Sequence, residues 1–129
     1  VTKRRIATEG APAALAVYSQ AIEANGFVFC SGQLGIDPAT GELVPGGVAA
    51  QTERALRNMG AVLDAAGLSY ADVVKTTCFL ADIGDFGAFN EVYAKFFSDA
   101  PPARSTFAVG ALPRGGSIEV EAVAARPEV

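Results

Sequence analysis

Histidine does not occur anywhere in the 129 residues, and that single absence removes a large part of enzyme chemistry. A Ser/His/Asp triad, a Cys/His nucleophile, imidazole acid/base catalysis and the commonest metal ligand are excluded together. Catalysis, if there is any, must run on carboxylates, hydroxyls, backbone groups, water or arginine. Charge is scarce too. Only 19% of the residues are Asp, Glu, Lys or Arg, which is low for a small domain that keeps most of its surface in water. Some apolar surface is therefore expected to meet another subunit.

Ten basic against fourteen acidic residues leave a net charge of −4, and no basic block follows the short run Lys3-Arg4-Arg5. Affinity for nucleic acid draws on clustered Lys and Arg that neutralise phosphates, so no nucleic-acid partner is expected. No stretch approaches a membrane span, and the basic N-terminus lacks a sustained apolar segment behind it. A soluble, cytoplasmic protein is the expectation. The two cysteines, Cys30 and Cys78, lie far apart in the apolar runs FVFC and TTCFL. They read as buried structural thiols rather than a redox pair or a metal site.

The length suits one domain, residues 1–129, with its own core. RRIATE can form a first strand, and YSQAIEANGFVFCSG reads as two strands joined at Asn25-Gly26, the strongest short hairpin signal. SGQLGIDPATGELVPGG is rich in Gly and Pro and should be a loop with a small hairpin at its tip. From Val48 to Ala66 apolar residues recur at spacings of three and four, which predicts an amphipathic helix stopped by Gly67. ADVVKTTCFLAD suits a central strand. Asp85 is placed to cap a second helix, whose Phe86, Phe89, Tyr93 and Phe96 share a face and read as core packing rather than a ligand box. RSTFAV and SIEVEAVAA are the last strands. The order predicts an α+β fold, a mixed sheet with both helices on one face. The uncovered face, together with the low charge, predicts self-association.

PPARSTFAV, residues 101–109, contains the most pointed feature. Pro101 and Pro102 fix the approach of the chain, and the alternation that follows holds Arg104 and Thr106 on one side of a strand, with Ser105 and Phe107 on the other. Glu119 and Glu121 share a face of the last strand. The short connection predicts that these two strands are antiparallel neighbours, so that an Arg/Glu constellation is possible. Arginine grips a carboxylate with two parallel charge-assisted hydrogen bonds, and a glutamate can orient or deprotonate water. A cross-strand salt bridge uses the same residues and, on them alone, is the commoner outcome. Ser31-Gly32-Gln33 adds a hydroxyl and a glycine at a strand end.

VYSQAI, FVFCSGQLGIDPATGELV, VVKTTCFLADIGDFGAFNEVYAKFF, PPARSTFAV and IEVEAVA, taken in order, resemble the successive motifs of the RidA family, also called YjgF, of enamine/imine deaminases. The resemblance covers nearly the whole chain. It implies a homotrimer of chorismate-mutase-like subunits, each with a six-stranded sheet and two helices, and active sites in clefts between subunits. It implies cofactor-free hydrolysis of 2-imino acids, formed from enamines such as 2-aminoacrylate, to 2-oxoacids and ammonia. The family's carboxylate-binding arginine falls on Arg104 and its acidic residue on Glu119. Its tyrosine falls on Tyr18, its serine and glycine on Ser31 and Gly32, and a further ligand contact on Thr106. Many members carry Gly-Pro before the tyrosine where this chain has Ala16-Val17. Two other readings share the same residues: a trimeric module that binds small carboxylates without turnover, and a chaperone-like holdase or RNA-cleaving translation inhibitor.

Overall fold

The computed structural model describes residues 1–128. Six strands form one sheet: β1 (Arg4–Ile6), β2 (Ala21–Ala24), β3 (Phe27–Gln33), β6 (Val73–Leu80), β7 (Ala103–Ala108) and β8 (Ile118–Ala125). The order across the sheet is β1-β2-β3-β8-β6-β7. A separate two-stranded hairpin, β4 (Ile36–Asp37) and β5 (Glu42–Leu43), sits at the tip of the Gly/Pro-rich loop, as the sequence suggested. Two helices complete the chain, α1 (Gly47–Ala65) and α2 (Phe86–Phe96).

Local chemistry accounts for most of these boundaries. Asn25 and Gly26 both take left-handed backbone, φ 54° and 80°, the twist-matched geometry that closes the two-residue turn between β2 and β3. Helix α1 ends where Gly67 turns left-handed, φ 75°. There the Leu68 N–H donates to the Leu63 carbonyl and the Gly67 N–H to that of Asp64, each at 2.9 Å, which satisfies carbonyls the helix would otherwise leave open. The expected cap of α2 is different. Asp85 makes no side-chain capping bond; Asp82 instead accepts the Gly84 N–H at 2.8 Å, because a short 3-10 turn precedes the helix and takes the cap three residues earlier.

The arrangement of the last two strands also departs from expectation. β7 and β8 are not neighbours. β7 lies at the sheet edge, parallel to β6, and β8 runs between β3 and β6, antiparallel to both. The reason is topological. Helix α2 is a crossover that returns the chain parallel to β6, while the α1 crossover leaves a gap between the parallel strands β3 and β6. An antiparallel strand in that gap pairs both inner edges, whose buried N–H and C=O groups need partners.

Both helices cover one face, where Val28, Cys78, Leu80, Ile118, Val120 and Ala124 meet Leu56, Met59, Leu63 and Phe89, all fully or almost fully buried. On the other face Phe27, Phe29 and Phe107 remain 42%, 47% and 45% exposed, and Phe79 stacks edge-on against Phe107 at 5.3 Å. At the far edge Arg126 grips Glu23 with two hydrogen bonds and also donates to the Ala66 carbonyl at 2.7 Å. Arg126, joined by Arg4, holds the Glu23 carboxyl down at about 2. No helix among the described residues is long and apolar enough to cross a membrane.

Candidate active site

Arg104 lies on the helix-covered side of the edge strand, in register with Thr76 of β6. Three residues of α2 hold it. Asn90 accepts a hydrogen bond from Arg104 Nη1 at 2.8 Å, and the guanidinium carbon lies 4.7 Å from the Tyr93 ring centre and 5.5 Å from that of Phe86. Tyr93 is fixed in turn by a 2.7 Å hydrogen bond between its hydroxyl and that of Thr76. Stacking and one amide bond orient the planar fork and leave most of its five N–H donors unused. The ion pairs among the described residues join Arg4 and Arg126 to Glu23 and Arg57 to Glu53. Arg104 takes part in none of them, so the cross-strand salt bridge is absent. Two residues along β7 and on the same side, Thr106 Oγ1 is buried without a hydrogen-bond partner, a costly state for a hydroxyl.

Glu119 points the other way. It pairs across β6 with Phe79, which pairs with Phe107, and all three face away from the helices. Within one chain Arg104 and Glu119 therefore occupy opposite sides of the sheet. Glu119 belongs instead to a cavity of about 860 Å³ that Tyr18, Ser31, Gly32, Glu121 and Arg114 also line. Burial, and secondarily the like charge of Glu121, push the Glu119 carboxyl above its ordinary range. A carboxylate with a raised pKa is suited to take a proton from water and return it near neutral pH.

Ser31 and Gly32 form a bulge within β3 rather than a turn after it. The pairing runs Cys30 with Ala122 and then Gln33 with Val120, leaving two residues opposite Glu121 alone. The bulge brings Gly32 so close to Glu119 that a Cβ there would displace the carboxylate from its present position. The Ser31 hydroxyl donates to the Ser19 carbonyl at 2.6 Å. With its proton engaged, the hydroxyl can only accept toward the cavity, and no base stands ready to make it a nucleophile. Tyr18 is 53% exposed on the loop that precedes β2.

The sequence-derived residues thus separate into two groups: Tyr18, Ser31, Gly32 and Glu119 at the cavity, Arg104 and Thr106 at the α2 edge. Several supporting residues were not foreseen. Gln20 ties down the N-terminal loop by accepting from the Thr8 N–H at 2.7 Å and donating to the Thr8, Ala11 and Pro12 carbonyls. Asn90 sits with Phe86 and Tyr93 at helical spacings of four and three, and this polar member of an apolar stripe was the signal available for it. The stripe itself divides: Phe89 and Tyr93 are core and Phe96 packs against it, while Phe86 is exposed, and Phe86 and Tyr93 also stack on Arg104. The cysteines are buried and unpaired; burial raises both thiols, Cys30 to about 11. Among the described residues no cluster of Cys, Asp and Glu could hold a metal ion.

A mixed sheet backed by two helices, carrying arginine, carboxylate and hydroxyl but no imidazole, defines a class of small α+β proteins. Residues 8–126 match the family described as Endoribonuclease L-PSP, and the chain belongs to this family, which includes RidA. It is 49% identical to the 2-iminobutanoate/2-iminopropanoate deaminase of Rattus norvegicus over 96% of this chain and 90% of that one. It is 54% identical to the chloroplastic Reactive Intermediate Deaminase A of Arabidopsis thaliana over 96% of this chain and 66% of that one. Among solved structures, E. coli TdcF with bound serine superposes with a TM-score of 0.92 at 40% identity, covering 96% of this chain and 99% of that chain.

Proposed function

We propose that the protein hydrolyses reactive 2-imino acids, such as 2-iminopropanoate and 2-iminobutanoate, to 2-oxoacids and ammonia, without metal or organic cofactor. The observation that carries this reading is the near-full-length identity of 49% to a protein named for that activity. The chemistry of the site supports it through an arginine oriented by stacking, with donors to spare. Arg104 holds the substrate carboxylate, and the unpartnered Thr106 hydroxyl serves as a further contact. Glu119 takes a proton from water as the oxygen attacks the imine carbon. The carbon–nitrogen double bond becomes single, the nitrogen takes up the proton that Glu119 drew from water and then that of the new hydroxyl, and collapse of the tetrahedral adduct forms the carbonyl and releases ammonia. Ser31 and Tyr18 order the water and shape the pocket, and Gly32 leaves room for Glu119.

Because the two groups of residues face opposite sides of one sheet, a working site needs two copies: Arg104 and Thr106 from one protomer, Glu119, Tyr18, Ser31 and Gly32 from another. A homotrimer with clefts between subunits meets that need. The exposed phenylalanines of the open face supply apolar area for its contacts. Action in the cytoplasm is part of this reading. The nuclease reading that the family description carries has less support, since the chain has no histidine and a net charge of −4, a poor match to a polyphosphate. The test is to generate 2-iminopropanoate or 2-iminobutanoate in situ and follow its loss with wild type and Arg104→Ala. Acceleration by wild type alone is expected. Tight 2-oxoacid binding with no acceleration would replace the enzyme by a binding module.

A further inference from the structure

The β4–β5 hairpin forms the outer wall of the cavity through Pro38, Ala39, Thr40 and Gly41, and its two ends are held very differently. At the base Asn58 of α1, fully buried, donates to the carbonyls of Leu34 and Ile36 at 3.2 and 2.8 Å. The Val44 N–H bonds the Gly35 carbonyl at 2.9 Å, and Gly35 lies so near the Gln51 backbone that no Cβ would fit. The base is a fixed point.

At the tip the amide bonds are local. Thr40 and Gly41 donate to the Asp37 carbonyl, Ala39 to its carboxylate and Glu42 to the Thr40 hydroxyl. Among the described residues one hydrogen bond ties the tip to the rest of the chain, from Arg114 Nη2 to the Gly41 carbonyl at 2.8 Å. Arg114 makes no ion pair there although Glu119 and Glu121 line the same cavity. Its backbone is left-handed, φ 61° and ψ 15°, a conformation that a residue with a Cβ keeps only where its surroundings impose it. The connection that carries it is anchored just beyond, where the Ser117 N–H donates to Gln51 at 2.8 Å, and it leads directly into Glu119.

We infer that Arg114 is a specificity-determining latch: by holding the hairpin tip to the β7–β8 connection it sets the distance from Glu119 to the outer wall, and so the length of imino-acid side chain the site accepts. The inference rests on the deaminase reading. Without the latch the hairpin pivots about its Asn58 anchor. Longer apolar side chains then gain room, while short substrates lose a wall that excludes water.

The experiment compares kcat/KM for imines made in situ from alanine and from leucine, using wild type, Arg114→Ala and Arg114→Lys. In Arg114→Ala the leucine-to-alanine ratio is expected to rise by about fivefold or more, and Arg114→Lys, which keeps a donor, should return it toward wild type. A ratio within about twofold of wild type in Arg114→Ala overturns the assignment. A second readout needs no turnover: NMR order parameters of the amides of residues 39–42 should fall in Arg114→Ala, and unchanged values also overturn the latch. A wild type inert toward every imine would remove the deaminase reading, and the relaxation result would then judge the latch by itself.

Discussion

The two faces of the sheet obey opposite rules. The helix-covered face is closed: its apolar side chains are buried, and even Thr76, Tyr93 and Asn90 are tied by hydrogen bonds. The open face leaves three phenylalanines partly exposed and carries Glu119 at a raised pKa, destabilised by burial and by Glu121. One face stores stability and orients Arg104. The other gives up stability to hold a carboxylate whose pKa is raised, beside apolar area left open to solvent.

Substitutions can break that comparison in descending order of effect. Arg104→Ala should lower kcat/KM toward 2-iminobutanoate by about a thousandfold, the loss of a charge-assisted fork, with the oligomer intact by light scattering. Phe89→Ala, in the closed face, should cost about 3–5 kcal/mol in denaturant melts. Phe107→Glu, in the open face, should leave the chain folded and dissociate the oligomer; an unchanged oligomer would show that the face is not the interface.

Glu119→Gln sharpens the contrast because its two effects have opposite signs. Activity should fall about a hundredfold. Stability near neutral pH should rise, since a carboxyl whose pKa is raised on folding favours the folded state only while protonated. Its cost is absent below the usual carboxylate range and grows as pH climbs through the folded value. The difference in Tm between wild type and Glu119→Gln should therefore vanish in acid. Glu23 is the reverse case. Its folded value of about 2 gives stability above its ordinary 4.5 that is lost as pH falls toward 2, and Arg126→Ala should flatten that part of the acid melt.

The assignment of the site to two copies has its own test. Arg104→Ala and Glu119→Gln, each nearly inactive, are unfolded together in equal amounts and refolded. If each site takes Arg104 from one protomer and Glu119 from another, random assortment restores about a quarter of wild-type activity. If one chain holds both, nothing returns.

Much of the architecture was legible without coordinates. The Asn25-Gly26 turn, the α1 stripe with its Gly67 stop and the apolar run of β6 are local signals, and each formed the expected element. The candidate residues were legible by kind, but how the fold groups them was not. Alternation correctly placed Arg104 with Thr106 and Glu119 with Glu121. It said nothing of which sides those pairs would face, and the inference that β7 and β8 are neighbours failed because a short connection does not force adjacency when β6 has an open edge on each side. Asn90, Gln20 and Arg114 escaped notice for the same reason: each acts on a carbonyl or side chain distant in sequence.

By itself, then, the sequence determined the elements, the histidine-free chemistry and the residue types at the site, because periodicity, turn residues and composition act over a few neighbouring positions. Only the tertiary structure decided that β8 would separate β3 from β6, that α2 would stack on Arg104, and that Glu119 would face away from it. Those outcomes depend on pairing every buried strand edge and covering one apolar face across long stretches of chain, and no local pattern encodes them.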